Sequence, residues 1–273
     1  MKRGGRILLL HAGLVLGGVV TLTPLVWMIS ASLMPAGEAS TFPPRFLPRT
    51  VTFDNYIALF TRLNLARAFL NSALITVCAT IISVLVNSMA GYAFAKLRFR
   101  GRDRLFGGLT SALVIPAQVG MLPLFLLLRQ MGFVNTYLGV MIPYFASVFG
   151  IFLIRQYALS VPDELLDAAR IDGASELRIF RVLVLPIIRP ILVTLAAFTF
   201  LIAWNDFMWP LIILSENDRY TLPVALANLV GEHVQDTELM MAGSVLAILP
   251  ALIVFLVFQR TYVRGIMAGS VKG

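Results

Sequence analysis

The chain has 273 residues, 59% of them apolar and 13% charged, with a mean hydropathy of +0.87 and a formal net charge of +8. A soluble domain carries about 25% charged residues, so an aqueous globule is excluded and a bilayer is the matching solvent. The basic residues are scattered over loops instead of forming one soluble patch, which excludes nucleic acid as a partner, and the single Cys78 excludes an internal disulfide.

A helical span needs roughly 20 apolar residues. Six stretches qualify: 7–32, 69–94, 105–128, 137–157, 187–214 and 239–258. Each is too long for a strand and lacks the alternation of a barrel. Helices satisfy their own backbone in lipid, so the expected fold is an all-α membrane protein, a six-span bundle forming a single domain over 1–273. The first stretch exceeds the apolar core of a signal peptide, about 7–15 residues, and is read as an anchor. Prolines 24, 116, 123, 143, 190 and 210 interrupt the spans, which neighbouring helices can tolerate.

With both termini inside, the inner side holds Lys2, Arg3 and Arg6, the run Lys96–Arg104, Arg155, Arg170, Arg178, Arg181 and Arg189, and Arg260, Arg264 and Lys272. That is 16 of the 22 basic residues, as the positive-inside rule requires. The expected location is therefore multi-pass in a cell membrane, with lipid as a partner and both termini cytoplasmic. Outside lie two long connections. Segment 33–68 is proline-rich and contains a short amphipathic helix over 55–61; segment 215–238 is acidic. Both exceed the usual 2–8 residues between bundled helices and suit docking by a soluble protein.

The most informative stretch is a polar interruption between the fourth and fifth spans, VPDELLDAARIDGASELRIFRVLVLPIIRP. Ser160, Pro162 and Asp163 form a helix start. Glu164 suits the positive end of the dipole. Gly173 supplies a left-handed stop, and Ser175 begins a second helix running to Pro186. A helix of about 11 residues is marginal alone. Four acids, Asp163, Glu164, Asp167 and Asp172, argue against rest on anionic lipid, so a protein should hold it.

This stretch resembles the EAA loop of permease subunits of bacterial ABC importers. The pattern is Glu-Ala-Ala, three residues, Gly, nine residues, Ile, one residue, Leu-Pro. Here stand Asp167-Ala168-Ala169, Gly173, Leu183 and Leu185-Pro186, with every spacing kept and Asp and Leu replacing Glu and Ile. Ala203 to Leu211, with Trp204, Asn205 and Asp206, resembles the fifth-span signature of the carbohydrate importers, and Phe53 to Tyr56, Thr221 to Val224 and the C-terminal tail are similar to the same group. The resemblance implies a second, homologous permease subunit, two cytoplasmic ATPase subunits and an extracytoplasmic sugar-binding protein. It implies that Glu164, Asp167, Ala168, Ala169, Asp172, Gly173, Leu185 and Pro186 couple to the ATPase, with the tail 264–273 as a further contact.

No GxxxxGK[ST] loop is present, so ATP and Mg belong to the partner ATPase and this chain is expected to need no cofactor of its own. No His or Cys pair has metal spacing, and no catalytic constellation is visible. Polar groups at membrane depth are costly and functional; Asn71, Ser72, Asn87, Ser88, Gln118, Tyr144, Ser147, Thr194, Thr199, Asn205 and Asp206 are such groups. The expected substrate path is Asn205 and Asp206, with Trp204 as the ring-facing aromatic, and Asn87 and Gln118. A non-sugar solute such as a polyol phosphate, an ion-driven carrier and a non-transporting scaffold stay open as alternatives.

Overall fold

The structure is a computed structural model. It describes the backbone of residues 3–61, 64–232 and 236–270, and the side chains of these except 3–6, 229–232 and 260–270. The basic side chains expected at 2–6 and 260–272, Arg62, His233 and the tail contact therefore lie outside the described residues.

Every regular element among the described residues is helical. In order they are α1 (Arg3–Ser32), α2 (Asp54–Thr61), α3 (Leu65–Lys96), α4 (Arg102–Ser111), α5 (Met121–Gln130), α6 (Tyr137–Phe145), α7 (Val148–Ala158), α8 (Asp163–Ile171), α9 (Glu176–Ile179), α10 (Leu185–Asn205), α11 (Met208–Ile213), α12 (Leu222–Glu232) and α13 (Thr237–Ser270). Five helical stretches among the described residues are long and apolar enough to cross a bilayer, Ile7–Ser32, Leu65–Lys96, Tyr137–Ala158, Glu176–Asn205 and Thr237–Gln259, and there are six if a bent helix pair is counted as one span.

Three expected spans differ from straight rods, each for a reason in the backbone. The third, read as 105–128, is a pair, Arg102–Val114 and Ala117–Gln130, bent by 102°. Pro116 has no N–H to continue the ladder, and it forces Ile115 into an extended conformation, φ −81° and ψ 121°. The fourth is broken at Ala146 and Ser147; both are extended, and Ser147 Oγ caps α7 by accepting from the Gly150 N–H at 2.9 Å. The fifth, read as 187–214, instead runs over Glu176–Asn205 and opens at Asp206 before α11.

The chain divides into two compact units. In the unit formed by 1–66 and 225–250, the proline-rich segment after α1 is a folded piece and not a bare connection. Asn55 donates its amide to the carbonyls of Ser32 and Met34 at 3.0 and 2.9 Å. Trp27 Nε1 donates to Arg45 O, Ser30 Oγ to Phe46 O, and the Ala39 N–H to Glu238 Oε1. The expected 55–61 helix is α2.

In the unit formed by 67–224 and 251–273, one core joins Tyr92 and Ala95 of α3, Ile154 and Ala158 of α7, Leu166 of α8, and Ile179, Phe180, Val184, Ile188, Ile191 and Leu195 along the continuous helical stretch from α9 to α10. A second core gathers Ile75, Leu128, Val140, Trp209, Ile213 and Leu214.

Candidate functional site

The polar interruption folds as a helix, a left-handed turn and a second helix. Asp163–Ile171 form α8, shorter than the expected 162–173. Its start is built differently from the sequence expectation. Pro162 is the capping position and offers no side-chain bond, while Ser160 Oγ turns back to Tyr157 O. Its end follows the expectation. Gly173 has φ +79°, its N–H reaches Arg170 O at 3.0 Å, and the Ala174 N–H reaches Ala169 O at 2.9 Å. These are the two bonds of a Schellman motif, which requires a residue in the left-handed region. Ser175 occupies the cap position of α9 without a side-chain cap bond.

Beyond Ser175 the chain does not stop at Pro186. Residues 176–205 are continuously helical through a π-turn, Phe180–Val184, in which the Leu185 N–H bonds Phe180 O. Pro186 deletes one ladder bond, and a local π adjustment re-satisfies backbone groups freed in this way in a membrane helix. The Gly173 turn therefore feeds one helix that is itself a span.

Leu166 alone of α8 is fully buried, at 1% exposure. Leu165, Asp167, Ala168 and Ile171 are exposed, Ile171 at 86%, and Gly173 has open space where a Cβ would be. Glu164 and Asp172 are also exposed, Ala169 and Leu185 are half-buried and Pro186 is exposed. The helix is held from its inner side. Lys96, whose side chain is 5% exposed, donates to Val161 O at 2.6 Å and to Asp163 Oδ1 at 2.7 Å. That ammonium holds the Asp163 carboxyl below its ordinary value. Arg170 bonds Asp167 and Glu176, each at 2.7 Å, and the other Glu176 oxygen accepts from the Tyr92 hydroxyl at 2.8 Å. Lys96, Tyr92 and Glu176 were not distinguishable as a set in the sequence. Tyr92 and Lys96 stand near the end of one apolar run and Glu176 lies within the polar interruption, and nothing in the sequence joins them.

A second feature is a cavity of about 450 Å³ lined by Ala117, Gly120, Met121, Leu124, Pro143, Tyr144, Ile202, Asn205, Asp206 and Trp209. It sits where three helix breaks meet, after Pro116, after Phe145 and after Asn205. Asp206 accepts from the Tyr144 hydroxyl with one oxygen and from the Trp209 N–H at 3.3 Å with the other. Asn205 donates its amide to Leu201 O at 2.7 Å.

The other expected path residues fall elsewhere. Trp204 is 3% exposed, stacked on Phe200 at 5.9 Å and edge-on to Phe69 at 5.5 Å; the aromatics on the cavity are Tyr144 and Trp209, and Trp209 is as buried as Trp204, its Nε1 bonded to Gly139 O at 3.2 Å. Asn87 is fully buried, with Nδ2 bonding Ser83 O and Oγ and Oδ1 accepting from the Ser147 N–H at 3.0 Å, so it closes the break between α6 and α7. Gln118 is exposed on the 3-10 turn Ala117–Gly120 whose ends line the cavity.

Comparison with known families decides the class. Residues 87–267, which include α8, Gly173 and the cavity residues, match the binding-protein-dependent transport system inner membrane component. The chain belongs to this family. These permeases are membrane-embedded transporter subunits, not enzymes; an EAA motif and coupling helix are typical of them, and they work with a separate ATPase and a binding protein. The chain is 40% identical to the arabinooligosaccharides transport system permease protein AraQ of Halalkalibacterium halodurans, over 97% of this chain and 96% of that one. It is 34% identical to the lactose transport system permease protein LacG of Rhizobium radiobacter, over 96% and 95%. It superposes with TM-score 0.82 and 26% identity on a chain of a bacterial ABC transporter involved in the import of the acidic polysaccharide alginate, over 95% and 98%. The chain is thus a permease subunit of the sugar ABC importer family, and the ion-driven carrier and scaffold alternatives do not fit this membership.

Proposed function

We propose that this permease carries a neutral mono- or oligosaccharide. It pairs with a second, homologous permease, is driven by two cytoplasmic ATPase subunits and receives its cargo from an extracytoplasmic sugar-binding protein. Its termini and the 160–186 segment face the cytoplasm. The ATPase grips the exposed face of α8, Leu165, Ala168 and Ile171 with Glu164 and Asp167 beside them, and the Gly173 turn passes the motion into the helix 176–205. The observation that carries this reading is the pairing of an exposed apolar face with a charge-clamped inner face on one nine-residue helix. A helix this short owes its stability to what surrounds it, and here only one side is occupied by its own chain.

The cavity supports a sugar over a polyol phosphate. Its lining includes one carboxylate, one amide and one phenol on apolar walls, and no lysine or arginine. A phosphate calls for a cation or a set of N–H donors. A carbohydrate is matched by a few acceptors and donors beside an aromatic ring, which Asp206, Asn205 and the half-buried Tyr144 provide.

Two measurements test the reading. A cysteine introduced as Ala168→Cys should form a crosslink to the ATPase in the assembled complex, and none should form from Ser160→Cys, before the helix begins; absence of the first product removes the docking model. Asp206→Ala should lower uptake of the sugar retained by the binding protein roughly tenfold or more, since hydrogen bonds to a charged group contribute about 1.5–3 kcal/mol. Unchanged uptake removes Asp206 from the path.

A further inference from the structure

We propose that α3 is a strut joining the coupling segment at one membrane face to the 218–222 loop at the other, so that engagement at either end is sensed at the opposite one. This rests on the docking reading above and adds a second transmission arm, separate from the turn into 176–205.

The two ends of α3 are gripped in different ways. At its C-terminal end, Tyr92 and Lys96 lie one turn apart. Tyr92 reaches Glu176 and, through it, Arg170 and Asp167 of α8; Lys96 reaches Val161 O and Asp163. Both ends of α8 are thereby tied to one turn of α3. At its N-terminal end, Arg67 pairs with Asp218 at 2.9 Å. Asn71 donates to the carbonyls of Asp218 and Tyr220, both at 3.0 Å, and accepts from the Tyr137 hydroxyl. Ser72 Oγ accepts from the Leu222 N–H at 2.7 Å. These bonds hold the loop by its backbone, so a displacement of the loop must pull on the helix.

The helix between these grips is suited to carrying load. Asn71 and Tyr92 lie about 32 Å apart along the axis at 1.5 Å per residue, the thickness of a bilayer's hydrocarbon core. Among the described helices longer than 20 residues, α3 alone lacks a proline; α1 has Pro24, α10 Pro190 and α13 Pro250. Kinks concentrate at prolines, so α3 moves as one body where the others can hinge. Coupling is a free energy shared by two sites through an element that both bias. Tyr92, Glu176 and Lys96 are positioning residues in this scheme, acting through α8, and Asn71 and Ser72 are their counterparts at the loop.

The test uses the complete complex in lipid, with ATP hydrolysis measured with and without sugar-loaded binding protein and the Ala168→Cys crosslink read in parallel. Asn71→Ala and Ser72→Ala, far from α8, should leave basal hydrolysis and the crosslink intact while lowering stimulation by the binding protein roughly tenfold, within the 5–150-fold range of such couplings. Tyr92→Phe, which keeps the ring against Phe180, should lower the same ratio. The double variant Asn71→Ala, Tyr92→Phe should lose no more than the larger single loss, because both cut one strut. Full stimulation in Ser72→Ala and Asn71→Ala with an intact crosslink overturns the strut alone, as does multiplication of the two losses in the double variant. Absence of any crosslink from the parent Ala168→Cys protein overturns the docking reading and, with it, the strut's route to the ATPase, whereas an intact crosslink with full stimulation overturns the strut alone.

Discussion

Gly173→Val is expected to reduce uptake at least about tenfold while the protein accumulates in the membrane at its usual level. The reason lies in the backbone and not in crowding. A Cβ at this position meets nothing within 4 Å, yet φ is +79°, where an L-residue costs roughly 1–2 kcal/mol and a β-branched one is a clear outlier. Valine therefore drives the turn toward negative φ. The bonds from the Gly173 and Ala174 N–H groups to Arg170 O and Ala169 O cannot both survive that change. The exit direction of the chain from α8 into the helix 176–205 is lost with them. The exposed position spares the core, which is why accumulation should be preserved. Gly173→Asn should be milder, because asparagine visits the left-handed region more readily. The check is uptake in vesicles holding the full complex, normalised to permease in the membrane. Wild-type uptake by Gly173→Val at normal abundance removes the turn from the transmission path.

The reading from sequence succeeded where a pattern is local. Asp167-Ala168-Ala169 and Gly173 stand at fixed spacing, and the left-handed turn they predict is present because a Schellman end depends on residues within six of each other. The long apolar runs likewise marked the existence of the spans. What escaped depends on partners far away in the chain. Tyr92 and Glu176 are 84 residues apart and Lys96 and Asp163 are 67 apart, and no periodicity links them. Helix breaks were legible as prolines but not as angles. Pro116 turns the chain by 102°, whereas the loss at Pro186 is taken up inside a continuous helix by a π-turn. The cavity shows both sides. Asn205 and Asp206 do line it, and an Asn-Asp pair closing an apolar run is conspicuous because lipid gives such groups no partners. The sequence places Trp204 on the path, yet it is Trp209, five positions on, that lines the cavity, because the chain breaks at Asp206 between them.

Glycines make the same point about tertiary context, and one of them carries the largest expected loss of stability. Gly91→Leu should prevent the packing of α3 against α7. A Cβ at residue 91 would lie 2.6 Å from both Cβ and Cγ2 of Ile154 and 3.0 Å from the Arg155 nitrogen. The Ile154 Cβ is fixed to its backbone and cannot rotate away, so the two helices must separate. Ile154 is completely buried in the same core as Tyr92, Leu166 and Phe180, and Arg155 Nε donates to Phe94 O at 3.2 Å across the same contact. Overpacking costs typically about 1–3 kcal/mol and more where backbone must move, and here separation also loosens the clamp on α8. At Gly107 and Gly108 of α4 an added Cβ would meet nothing within 4 Å, so Gly108→Leu is the matched control. The expected result is a several-fold drop in detergent-resistant, folded Gly91→Leu permease with a lowered melting temperature, and near-parental behaviour of Gly108→Leu. Equal stability of the two variants would show that α3 and α7 are not in close contact in the folded protein, and the core that Leu166 of α8 shares with both helices would fall with it.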